Sequence, residues 1–204
     1  MMKVLIFEGP DNLGKSTIIR QFEKIYRNQY EIHKFHCTGP ALDNPDEDPF
    51  DAQCRQFRAL VAELLKLNKS DANVLAIIDR SWIGEYVYGQ IYRNGNPDKI
   101  MQLINMCNLQ LSDAGIQTIY VRLTATPEFI IAHDDNLSFT SGYDPEKRLA
   151  AVTKEDALFE EAYHRMRMYY SSKKITVQVQ NGVTDNYRNI NDIFDEINNA
   201  FCYE

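Results

Sequence analysis

At 204 residues, with 44% apolar and 25% charged side chains, the chain has the length and balance of one ordinary globular domain, residues 1–204. Its formal charge of -7 argues against a grip on nucleic-acid backbone, so no nucleic-acid polymer is expected as a partner, whereas a small anion needs only a few local cations. Only four apolar residues separate Lys3 from Glu8, no stretch nears the roughly 20 that span a bilayer, and the four cysteines form no C-x-x-C pair; a reduced, cytoplasmic protein without membrane contact is expected.

Short runs rich in β-branched and aromatic residues predict strands at Lys3–Phe7, Glu31–Cys37, Asn73–Ile78, Ile116–Leu123 and Ile175–Val179. Between them lie helical spacings. Ile18, Phe22 and Ile25 mark the first, and Phe57, Leu60, Val61, Leu64 and Leu65 the second. Ile100, Leu103, Ile104 and Met106 mark a third, and Ile190, Ile193, Phe194, Ile197 and Phe201 the last. Such alternation predicts an α/β fold, a five-stranded parallel sheet flanked by helices on both faces.

Directly after the first strand, Gly9-Pro10-Asp11-Asn12-Leu13-Gly14-Lys15-Ser16 matches G-x-x-x-x-G-K-[ST] and opens a helix. Gly9 and Gly14 let the backbone of Asn12, Leu13 and Thr17 turn N–H groups inward as an anion nest. Lys15 supplies a charge for β/γ-phosphates, and the Ser16 hydroxyl is a ligand for Mg²⁺. The expected cofactor is a nucleoside triphosphate. A guanine-reading N-K-x-D is matched only by Asn68-Lys69-Ser70-Asp71, which reads as a polar helix end.

The segment Gly39–Asp51, with three prolines and five acids, reads as a solvated loop rather than a metal site. After the third strand come Asp79-Arg80 and a helix. Alone, the acid would serve as a helix cap and the arginine as a surface ion pair; beside a phosphate loop, Asp79 can hold Mg²⁺ or take a proton, and Arg80 presents a planar fork to a second phosphate. His133–Pro145 lies between helix starts at Thr126-Pro127-Glu128 and Asp144-Pro145-Glu146, and is long enough to act as a lid over about 133–147. His33 and His36, three apart on a strand, fall on opposite faces and make no metal pair.

The stretches FEGPDNLGKST and DRSWIGEYVYG, and more loosely YVRLTATPEFI with FEEAY, resemble the thymidylate kinase and deoxynucleoside kinase group of P-loop kinases. The resemblance implies a P-loop kinase fold and ATP- and Mg²⁺-dependent phosphoryl transfer to a deoxynucleoside monophosphate, dTMP above others. It also implies that Asp11 contacts the acceptor sugar and Arg80 the acceptor phosphate. Asp79-Arg80-Ser81 is similar as well to the Glu-Arg-Ser of deoxynucleoside kinases, which act on the unphosphorylated nucleoside. The form of the second stretch resembles viral thymidylate kinase-like proteins, which would place the chain in a host cytoplasm. A small nucleotide is the expected partner, and a homodimer stays open.

Departures accompany the likeness. Such kinases carry an arginine in the phosphate loop or the lid, and here neither Pro10–Leu13 nor His133–Pro145 has one; Lys147 and Arg148 are the nearest cations able to swing in. Gly39-Pro40 fits the turn of the family's Arg-Glu-Pro-Gly segment without its arginine. Arg55 and Arg58 can replace it, with Phe57 stacked on a base; equally, Phe57 packs in the core and both arginines are solvated. Glu85, Tyr88 and Arg93 are expected to line the acceptor pocket, with Trp82 and Tyr86 in the core.

Overall fold

A computed structural model describes residues 2–40, 42, 46–135, 138 and 140–202. Its five strands are β1 (Lys3–Glu8), β2 (Glu31–His36), β3 (Val74–Asp79), β4 (Gln117–Thr124) and β5 (Ser172–Gln178), all parallel, in the order β2-β3-β1-β4-β5. The first four lie close to the predicted runs. β5 begins three residues earlier than predicted, because Ser172, Lys173 and Lys174 sit on an edge strand where polar side chains reach solvent.

The helices are α1 (Lys15–Tyr26), α2 (Pro49–Leu67), α3 (Trp82–Arg93), α4 (Pro97–Asp113), α5 (Pro127–Ala132), α6 (Pro145–Arg165) and α7 (Ile190–Cys202). Four of them start on one device: a side-chain oxygen caps the end and proline takes the first helical position, at Asp48, Asn96, Thr126 and Asp144. The Asp48 cap shortens the loop expected over Gly39–Asp51, of which Ala41 and Asp43–Pro45 lie outside the described residues. The apolar face of α1 is completed by Tyr26 rather than by Ile25, which is exposed.

Alternate residues of β1 divide the core in two. Val4 and Ile6 pack with residues of α2, α3 and α4, whereas Leu5 and Phe7 pack with residues of α1, α5 and α7. Trp82 and Tyr86 are both fully buried, as their sequence context predicted. No helix among the described residues is long and apolar enough to cross a membrane.

From β1 the chain crosses to β2 at one edge, and from β3 it crosses to β4 on the opposite side of β1. The crevice beyond the carboxyl ends of β1 and β3 is therefore the switch point of the sheet, where such folds take ligands. Phe7 pairs with Asp79 in register, so the phosphate loop and Asp79-Arg80 leave neighbouring strands at one level.

Candidate active site

The loop after β1 takes its shape from left-handed backbone. Gly9 has φ +127°, and a Cβ there would stand 2.3 Å from the Leu123 carbonyl oxygen, so only glycine fits. Asn12 (φ +63°) and Gly14 (φ +74°) are also left-handed. Leu13 is buried beneath, while Ser16 and Thr17 stand exposed at the start of α1. Lys15 is 7% exposed and donates to the carbonyls of Gly9 (3.0 Å) and Pro10 (2.7 Å); burial pushes its ammonium below the ordinary lysine range.

A cavity of about 420 Å³ lies over this loop, bounded also by Asp79, Arg80, His36, His133 and Tyr187. Asp79 Oδ2 is 3.4 Å from His36 Nδ1, and its Oδ1 is buried without a hydrogen bond. Ser16 lines the same cavity, so a hydroxyl and an unsatisfied carboxylate oxygen fit a hard divalent cation. Among the described residues no group of three His, Cys, Asp or Glu side chains could hold a metal, so water or ligand oxygens would complete the shell. The rings of His133 and Tyr187, edge-to-face with centroids 4.9 Å apart, also line the cavity.

A second cavity, of about 240 Å³, lies on the α2–α3 side, and Arg80 lines both. Its backbone is left-handed (φ +64°), its guanidinium pairs with Asp11, and it lies 5.9 Å from the Tyr88 ring centroid. Glu85 (4% exposed) accepts a 2.5 Å hydrogen bond from Arg93; burial raises its carboxyl pKa and the Arg93 charge opposes that rise. A Cβ at Gly89 would stand 2.5 Å from Glu85 Oε1, so that glycine leaves the carboxylate its place.

Glu85, Tyr88 and Arg93 all line this cavity. Phe57 also reaches it but is 2% exposed and packs edge-on against Trp82, 6.2 Å between centroids. Arg55 and Arg58 lie on the exposed side of α2 and line neither cavity; Arg55 pairs with Glu47 at 2.8 Å. These positions match the alternative of a core phenylalanine flanked by solvated arginines. Arg148 does not line the phosphate cavity either, being paired with Asp134.

Sequence reasoning passed over Gln53, Glu8 and Glu155. Gln53, 2% exposed, lines the second cavity with its Oε1 unpartnered. Glu8, fully buried, accepts hydrogen bonds from Ser81 N (2.7 Å), Ser81 Oγ (2.6 Å) and Gly84 N (3.3 Å), fixing the turn that carries Arg80. Glu155 accepts from the Tyr92 hydroxyl at 2.9 Å. Burial, against these hydrogen bonds, raises both carboxyls from 4.5 to about 7. The signals were an acid ending an apolar strand and an acid in line with Val152, Phe159 and Ala162.

Between pH 4.5 and 7 the folded chain thus keeps two protons that the unfolded chain releases. Stability is fullest at the acid end of that window and is lost as pH rises through it, by on the order of 1 kcal/mol per pH unit for each group. The thermal midpoint should therefore fall between pH 5 and 7, less steeply in Glu155→Gln. An unchanged slope in that variant would remove Glu155 from this explanation.

No protein-family model and no curated protein matches the sequence. Solved structures do match. A YorR protein from Bacillus subtilis, in complex with phosphorylated GDP, superimposes with a TM-score of 0.60 at 18% identity, over 97% of this chain and 95% of the other. A deoxyadenosine kinase from M. mycoides with bound dATP gives 0.55 at 19% identity, over 99% and 100% of the two chains. A polyphosphate kinase 2 from Arthrobacter aurescens gives 0.60 at 13% identity, over 86% of this chain but 60% of its own length. With its parallel sheet, flanking helices and phosphate loop, the chain has the P-loop kinase fold.

Proposed function

We propose that this chain transfers the γ-phosphoryl group of ATP to a deoxynucleoside monophosphate, with dTMP the acceptor favoured by the resemblance of its motifs. The observation that carries this reading is Arg80, which lines both the phosphate cavity and the cavity beside it. A guanidinium at such a junction can hold an acceptor phosphate in line with a donor phosphate, and phosphoryl transfer is mostly positioning and charge neutralisation. The loop amides and Lys15 hold the β/γ-phosphates. Ser16 and Asp79 would hold Mg²⁺, which would supply positive charge against the charge of the phosphates. Asp11 orients the sugar, and Gln53 with the Glu85–Arg93 pair faces the base. An oxygen of the acceptor phosphate forms the new P–O bond as the bond to ADP breaks.

Both guanidiniums of the second cavity already have carboxylate partners, Arg80 with Asp11 and Arg93 with Glu85. That favours a second reading, a deoxynucleoside acceptor with no phosphate to neutralise. The test is ADP release from MgATP with dTMP, dAMP, dGMP, dCMP and thymidine in parallel. Turnover on a monophosphate is the expected result, and turnover on thymidine alone would select the second reading. ATP binding without turnover on any acceptor would leave a nucleotide-binding regulatory module.

A further inference from the structure

Arg148 and Asp134 have no place among the phosphate ligands, yet both are held tightly. Asp134 follows α5 and its side chain is 2% exposed; Arg148 lies in the first turn of α6 with its side chain 15% exposed, and the two form an ion pair. One further contact of Asp134 reaches the phosphate loop and another stays local. Its Oδ1 accepts a 2.9 Å hydrogen bond from Asn12 Nδ2, and its Oδ2 a 3.2 Å bond from Ser138 Oγ. On its other side the Asn12 carbonyl accepts the hydroxyl of Tyr187.

Asn12 is thus gripped at both side chain and backbone, at a position where φ is +63°. Asparagine tolerates that conformation better than most residues with a Cβ, though less freely than glycine, and here its side chain and carbonyl are both hydrogen-bonded. Alternation of right- and left-handed residues is also what turns successive N–H groups towards one anion. We propose that the Asp134–Arg148 pair is a brace that locks Asn12 in its left-handed conformation and so preorganises the phosphate loop, with both residues acting as positioning residues. This rests on the donor site assigned above and gives Arg148 a task other than neutralising the transferring phosphoryl group. A buried ion pair is costly to form and costly to break by halves, which suits an element that must hold one geometry.

The test is a thermodynamic cycle read by calorimetric titration with MgATP. Asp134→Ala should weaken binding roughly tenfold, 1.4 kcal/mol at 25 °C. In an Asn12→Gly background the same change should weaken it less than about twofold, since glycine has no side chain to brace and takes the left-handed conformation freely. A role only in stability would lower the thermal midpoint in both backgrounds without this difference in affinity. Equal weakening in both backgrounds, or none in either, overturns the brace. Should Asp134→Ala fail to fold, Asp134→Ala with Arg148→Met removes both charges together and carries the same prediction. Wild-type protein that binds no MgATP would overturn the donor-site assignment itself, whereas wild-type binding with no coupling overturns the brace alone.

Discussion

Lys15→Ala is expected to lower turnover about 10³-fold, the upper range for removing one preorganised charge-stabilising donor, while the fold stays intact. The ammonium is buried at the floor of the phosphate cavity and held by the Gly9 and Pro10 carbonyls. In that setting, water cannot replace the charge it offers a donor phosphate. Its loss should not unfold the chain, because Lys15 opens α1 and alanine has the best helix propensity of any residue. Removing a buried ammonium also removes its desolvation penalty. Steady-state rates with a thermal melt check both halves. Undiminished transfer in a folded variant would contradict the assignment of the loop as the donor site.

Arg80→Ala is expected to lower kcat/KM for the acceptor by roughly 10²-fold, with a far smaller change in MgATP affinity. Arg80 faces both cavities, but among the described residues the second has only Arg93 as a further cation, and that is committed to Glu85. Because Arg80 is left-handed, Arg80→Gly serves as the control for backbone strain. If glycine and alanine give the same loss, the guanidinium is responsible. Arg80→Lys should rescue little, since a point charge does not present the bidentate fork. An acceptor response unchanged in Arg80→Ala would remove Arg80 from the site and leave the two cavities unconnected.

Four strands, the phosphate loop and the starts of α5 and α6 could be read from the sequence because their signals are local. Apolar runs, a spaced Gly-Lys-Ser and a cap followed by proline each act within a few residues. Arg80 was legible for the same reason, as it follows directly from the third apolar run. β5 was displaced because it is an edge strand whose first residues, Ser172, Lys173 and Lys174, are polar. The brace was out of reach: Asn12 and Asp134 are 122 residues apart, and Asp134 lies beyond α5, which follows the strand paired with β1. Gln53 and Glu155 were passed over for a different reason. Gln53 sits one turn before Phe57 in a helix whose apolar stripe was read for packing, and Glu155 sits in a helix of which only the start was read. Arg55 and Arg58 stand on the exposed face of α2, the second of the two alternatives that their sequence context left open.

The most direct test of the account is a ³¹P NMR spectrum of purified protein with MgATP and dTMP. The account predicts loss of the ATP γ-signal with matched growth of ADP and dTDP. An intact ATP spectrum with dTMP and with every other deoxynucleoside monophosphate, from protein that binds MgATP, would contradict it.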